Sequence, residues 1–228
     1  TLREGAQASR QVVRLGAARS IQYALRDAGR GVDDTAVHRV DAQGRVKALG
    51  LLVPVRPAGY VMRQTDGVTL HSDGLPWWLL DMRPQGFLGR AYAARHAAHL
   101  GLPASLSEWN DAHVLRALVA HGHDAVGNLL LGDLAREQFL NTSGPEPLAQ
   151  RAKARAYRRL AEEAASGDRP GSSAGGEQPK FAAFVEGPDG PCHVLVKFSL
   201  PDVNPVTQRW RDLLLAEHHA LQALAAQG

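Results

Sequence analysis

Apolar and polar positions alternate first over two short stretches near the start of the chain. Gln11-Val12-Val13-Arg14-Leu15 predicts a strand, Gly16-Ala17-Ala18 a turn, and residues 19–25 a second strand. In the second, Ile21, Tyr23 and Leu25 share one face while Arg19, Ser20 and Gln22 are polar. Residues 36–75 continue in the same β-rich manner. Val37-His38-Arg39-Val40 and residues 45–53 flank Asp41-Ala42-Gln43-Gly44 as a hairpin, and Gly59-Tyr60-Val61-Met62 and Val68-Thr69-Leu70 add shorter strands around Asp66-Gly67.

From residue 76 to about 165 the period lengthens to that of helices. Pro76-Trp77-Trp78-Leu79-Leu80-Asp81-Met82 is a dense apolar cluster, after which Leu88, Tyr92 and His96 fall on one helical face. Ser107-Glu108-Trp109-Asn110 opens a second helix that runs to about residue 120 with Val114, Leu115 and Leu118 inward. Residues 145–165 are rich in Ala and Arg and read as a helix with a solvated basic face. Residues 166–176 are Gly-, Ser- and Pro-rich and predict no regular structure. Phe181-Ala182-Ala183-Phe184-Val185 and His193-Val194-Leu195-Val196-Lys197-Phe198 then predict two strands joined by Gly187-Pro188-Asp189-Gly190, and a helix follows Pro205.

Composition narrows the class without identifying it. The chain has 228 residues, 44% hydrophobic and 21% charged, ordinary proportions for a globular protein. A formal charge of +3 does not by itself point to nucleic acid. Its placement is more informative: Arg3, Arg10, Arg14, Arg19, Arg26 and Arg30 crowd the start, and residues 151–159 form a second basic run. The single cysteine, Cys192, permits no intramolecular disulfide and no Cys-based metal cluster, and makes a reducing cytoplasm the default location. No apolar run approaches the length of a membrane span, and residues 1–10 lack the apolar centre of a signal peptide. The chain opens on Thr1 within a helix-like run and stops at Gly228 after another, which reads as a fragment of a longer protein.

The chemistry concentrates in the last 60 or so residues. A Gly-rich loop lets backbone N–H groups approach phosphate oxygens with no Cβ in the way. Lys197 sits near the end of the second strand on the face opposite Val194, Val196 and Phe198, so its ammonium can meet a phosphate while they pack inward. Glu217 on the following helix can orient that lysine through an ion pair. Taken singly, a Gly/Ser loop is ordinarily a linker, and a strand-end lysine or a helix glutamate is ordinarily solvated. Their order and spacing carry the reading. The NTPase P-loop is excluded, since its G-x-x-x-x-G-K-[ST] pattern is absent and a strand follows the loop. The run His121-Gly122-His123-Asp124-Ala125-Val126-Gly127-Asn128 imitates a kinase catalytic loop, but its spacing is one residue short and it precedes the phosphate loop. The histidines show no zinc-type spacing, so no metal site is assigned to the protein alone. The hairpin of residues 11–25 is either an ordinary basic hairpin or the wing of a winged helix, with Arg14 and Arg19 as its candidate DNA contacts.

Ser173-Ala174-Gly175-Gly176-Glu177-Gln178-Pro179-Lys180 resembles the phosphate loop of HipA-family toxin kinases. Val194-Leu195-Val196-Lys197-Phe198 is similar to the strand bearing their ATP-binding lysine, and residues 215–221 to the helix with its glutamate partner. Residues 75–90, with the run Asp81-Met82-Arg83-Pro84-Gln85-Gly86-Phe87-Leu88-Gly89-Arg90, resemble the YjjJ subgroup, in which a winged-helix segment precedes the kinase. The resemblance implies an α+β fold in three parts: a partial winged-helix hairpin over 1–30, a β-rich and helical subdomain over 36–165, and the start of a kinase small lobe over 166–228. It implies ATP- and Mg²⁺-dependent phosphorylation of Ser or Thr on a protein substrate, with Ala174, Gly175, Gly176, Gln178, Lys180, Lys197 and Glu217 at the nucleotide. DNA and an antitoxin are the further partners it implies. The catalytic aspartate and the Mg²⁺ ligands belong to a second lobe, so no catalytic residue is assigned within this chain, and the fragment alone is expected to be inactive. A DNA-binding or regulatory module and a kinase-like scaffold with a vestigial site are the competing readings.

Kinases of this family can autophosphorylate a serine in the loop, which ejects the loop and silences the enzyme. Ser173 matches that position, with Ser172 beside it. Mass spectrometry of the full-length protein after exposure to Mg²⁺ and ATP is expected to find phosphate on one of the two; unmodified peptides covering both would refute it.

Overall fold

The computed structural model describes residues 11–16, 18–167 and 175–227. In chain order its strands and helices are β1 (Val12–Leu15), β2 (Gln22–Leu25), β3 (Thr35–Val40), β4 (Val46–Val55), β5 (Gly59–Gln64), β6 (Thr69–Ser72), α1 (Gly86–His96), α2 (Asp111–His121), β7 (Leu129–Leu131), α3 (Gly132–Asn141), α4 (Lys153–Ser166), β8 (Lys180–Gly187), β9 (Gly190–Lys197) and α5 (Pro205–Ala225). Every pairing between these strands is antiparallel, an α+β arrangement. Two compact units divide the chain: Thr1–Arg83 with Leu100–Pro103 and Ser107–Ser143, and Pro84–His99 with Ala104–Leu106 and Gly144–Gly228. Among the described residues no helix is long and apolar enough to cross a membrane.

The first unit is built on a five-stranded sheet in the order β6-β5-β4-β3-β7. Its central strands read as near-continuous apolar runs because they are covered, and Leu52, Val53, Val55, Tyr60 and Val61 are fully buried. Helix α2 begins where expected. The Asn110 side chain accepts from the His113 N–H at 3.0 Å, while His113 Nδ1 accepts from the Asn110 N–H at 3.2 Å, a reciprocal cap. Val114, Leu115 and Leu118 face inward from it, as the periodicity predicts.

Strand β7 and helix α3 were not legible beforehand. Leu129-Leu130-Leu131 is too short to show a period, and only pairing with Val37, His38 and Arg39 makes it a strand. The Asn128 backbone and amide both bond Val40, so the end of the kinase-like run 121–128 is a splice into the sheet.

The β1–β2 hairpin is part of this unit's core. Val13 and Leu15 pack with Val53, Val55 and Val61, and the Arg56 N–H donates to the Leu25 carbonyl at 2.8 Å. The face shared by Tyr23 and Leu25 is the outer one, with Tyr23 69% exposed, and Ala24 turns toward the core instead.

In the second unit the β8–β9 hairpin is covered by α4. Residues 145–152 depart from the predicted helix. Leu148 forms a bridge with Val185, and the helix proper starts at Lys153. Along α4, Ala156, Leu160 and Ala164 are buried on one stripe and Arg155, Arg158 and Arg159 are exposed, as the sequence implied.

Two consequences can be measured. Gly50 sits beside the β3–β4 bulge at φ 152°, where a Cβ would stand 2.0 Å from the Arg63 carbonyl oxygen. Gly50→Ala is therefore expected to cost at least about 2 kcal/mol in a urea unfolding curve. His38 is 8% exposed with Nδ1 unpartnered, and burial, followed by the charge of Arg136, lowers its pKa from 6.5 against the opposing effects of Asp133 and Leu130. His121 is lowered in the same direction by burial and by His123. The unfolded chain then binds protons that the folded chain refuses, so stability is full above 6.5 and falls as pH drops below it. His38→Gln is expected to flatten that slope in unfolding midpoints measured across the window.

Candidate functional site

The alternation that makes β8 and β9 strands also sorts their side chains. Phe181, Ala183 and Val185 from β8 join Leu160 and Ala164 of α4, with Val194, Val196, Phe198, Tyr157 and Phe87 packed around them. Phe198 meets Phe87 edge-on at 6.2 Å, and Tyr157 meets Phe181 in the same manner at 5.6 Å. Lys180 and Lys197 lie on the other face, directly opposite each other in the register. Leu195, on that same face, is exposed.

Lys197 is ion-paired to Glu217 through Nζ and Oε1, with both side chains partly exposed. Helix α5 delivers the glutamate from a well-defined start. The Asn204 side chain accepts from the Val206 and Thr207 N–H groups at 3.0 Å each, Pro205 occupies the first turn, and the buried Thr207 hydroxyl donates to the Asp202 carbonyl at 2.6 Å.

Lys180 is treated differently. At 3% exposure it is the most buried of the predicted site residues among those described, and its Nζ donates to the carbonyls of Gly175 at 2.5 Å and Gly176 at 3.1 Å. Burial holds its pKa below the ordinary lysine value, the charge of Lys197 pushes the same way, and Glu177 opposes them. Between the carbonyls and this lysine runs the turn Glu177-Gln178-Pro179, whose end is tied to β9 by the Phe198 N–H donating to the Pro179 carbonyl at 2.9 Å. Gln178 Nε2 is buried with no partner. Ala174, Ser173 and Ser172 lie outside the described residues.

One part of the site was missed in the sequence. The start of α1 lies against the loop: the Phe87 N–H donates to the Gly176 carbonyl at 3.0 Å, and Arg90 pairs with Glu177 at 2.6 Å. The run from Asp81 to Arg90 stood out as distinctive, but nothing in it announces a partner 87 residues away.

The two DNA candidates fall on the other unit. Arg14 is opposite Tyr23 on the exposed face of the hairpin, and Arg19 lies in the turn between its strands. Cys192 is exposed and unbonded. Among the described residues no group of three or more His, Cys, Asp or Glu side chains could hold a metal ion.

Sequence comparison links the chain to proteins described as toxins. Residues 32–140 match the family model described as YjjJ-like toxin, middle domain. The chain is also 40% identical over 219 residues to Toxin YjjJ of Escherichia coli (strain K12), an alignment covering 96% of this chain and 49% of that protein. The chain is thus similar to a YjjJ toxin over nearly its whole length, and it spans about half the length of the curated relative it matches. No solved structure matches it. The middle-domain match stops at residue 140, short of the loop and hairpin, whereas the pairwise alignment covers nearly the whole chain.

Proposed function

We propose that this chain is the nucleotide-gripping portion of a HipA-type, ATP-dependent protein serine/threonine kinase that acts as a toxin of the YjjJ kind. The observation that carries the reading is the Lys197–Glu217 ion pair between β9 and α5, in the same unit as a glycine-rich turn whose carbonyls are tied down by a buried lysine. In kinases generally, a strand lysine oriented by a helix glutamate meets the α- and β-phosphates. The residues fit that cargo in chemistry as well. Gly175 and Gly176 offer backbone with no Cβ, Lys197 offers positive charge, and the unpartnered Gln178 amide offers a donor.

In this reading MgATP supplies the phosphoryl group and a metal held largely by its own phosphates. Lys197 neutralises phosphate charge, Glu217 orients Lys197, and Lys180 braces the turn at Gly175 and Gly176. Ser173 and Ser172 are the loop's self-phosphorylation sites. The catalytic aspartate and the metal ligands are assigned to sequence of the kind that makes up the rest of the relative's length. The substrate is a protein, and an antitoxin is the expected regulator.

A second reading, a DNA-binding or regulatory module, is favoured by one feature: the exposed hairpin face that sets Arg14 opposite Tyr23. It would show as duplex binding that weakens steeply with salt and is reduced by changes at Arg14 or Arg19.

Titration of the full-length protein with a fluorescent ATP analogue and Mg²⁺ tests the first reading. Lys197→Ala is expected to weaken binding by about tenfold or more, equivalent to losing about 1.4 kcal/mol, with Glu217→Gln in the same direction. Absence of binding, or affinity indifferent to Lys197, would leave a scaffold with a vestigial site.

A further inference from the structure

We propose that the Gln85-Gly86-Phe87 start of α1, together with Arg90, is the seat of the glycine-rich loop and fixes the direction in which its N–H groups point. The inference rests on the nucleotide reading of the loop and adds positioning residues that the reading does not contain.

Four contacts join the two segments. The Phe87 N–H donates to the Gly176 carbonyl at 3.0 Å. Gly86 lies so close that a Cβ there would stand 2.3 Å from the Gly176 oxygen and 2.7 Å from its carbonyl carbon, and its φ of +63° itself favours glycine. Arg90 closes the contact with its 2.6 Å pair to Glu177. The Gln85 amide borders the same turn, 2.9 Å from where a Cβ on Gly175 would be.

The consequence follows from peptide geometry. The Gly176 carbonyl accepts from both Phe87 N–H and Lys180 Nζ, and the Gly175 carbonyl accepts from Lys180 as well. In a trans peptide the C=O of one residue and the N–H of the next point in opposite directions. Anchoring the Gly176 carbonyl therefore turns the Glu177 N–H away from Lys180 and α1, and anchoring the Gly175 carbonyl turns the Gly176 N–H away from Lys180. Two adjacent donors of a glycine turn, both directed away from the lysine that braces it, are the elements of a phosphate cradle. Lys180 anchors from within the hairpin and α1 from outside it. The seat requires glycine at 86, because any side chain there occupies the volume of the Gly176 carbonyl.

The Arg90–Glu177 pair has a lesser part. Both side chains are more than half exposed, so the pair guides the loop more than it binds it.

The test uses the full-length protein with two readouts: affinity for a fluorescent ATP analogue with Mg²⁺, and hydrogen exchange of the amides of residues 175–180 without nucleotide. Gly86→Ala is expected to weaken nucleotide binding by about tenfold and to speed exchange in the loop. Exchange in β3 to β5 should stay unchanged. Arg90→Glu is expected to weaken binding by about threefold, and Arg90→Glu combined with Glu177→Arg to restore it. Wild-type binding that depends on Lys197, with Gly86→Ala and Arg90→Glu leaving both affinity and loop exchange unaltered, would overturn the seat while sparing the nucleotide reading. A wild type that binds no nucleotide sinks that reading and the cradle together. If Gly86→Ala fails to fold, the charge-swap pair decides: no loss in Arg90→Glu, or no recovery in the double variant, rejects the seat.

Discussion

Two lysines occupy one rung of the β8–β9 hairpin, and the way their charges are kept apart organises the whole candidate site. Like charges placed directly opposite in an antiparallel pair destabilise it. Here each ammonium has its own partner. Lys197 is held by Glu217 from α5, and Lys180 is drawn beneath the glycine turn, where two carbonyls receive it. Dipoles compensate a buried cation only in part, which is why its pKa stays low. The arrangement leaves one cation braced within the protein and one directed outward on a partly exposed ion pair. A pair of that exposure contributes only about 0–1 kcal/mol, so it is better suited to orienting a lysine than to holding a fold together.

Stability comes from the opposite face. A two-stranded hairpin is marginal alone. Phe181, Ala183 and Val185 meet α4, and Phe87 and Phe198 close the cluster around them. Burying Phe181 contributes about 1.5–3 kcal/mol. Phe87 has two roles: its ring belongs to this cluster, and its backbone N–H reaches Gly176. Packing and loop geometry are therefore coupled through one residue.

Much of the fold was legible because its signals are local. The strand pattern at 12–15, the apolar run at 46–55, the helix start at Pro205 and the Pro188-Asp189 turn each operate within a few residues. The pairing of Lys197 with Glu217 was also foreseeable, from a strand-then-helix order that brings the two together. What failed were segments whose state depends on distant partners. Leu129-Leu130-Leu131 becomes a strand only against β3, and Leu148 becomes a bridge only against Val185. The hairpin face bearing Tyr23 could not be recognised as the outer one, since its apolar residues look as buriable as those of the inner face.

The sequence by itself determined the order of elements, the glycine-rich loop, and the candidate pair Lys197 and Glu217. Those are properties of local backbone preference and of residue chemistry, which neighbours in the chain suffice to express. Only the tertiary structure decided that Lys180 would be buried and Lys197 left available. Only it set Gly86 and Arg90 against a turn some 87 residues further on. The reason is physical: which carbonyls are anchored, and hence which N–H groups face outward, depends on groups that meet through folding and carry no local signal in the sequence.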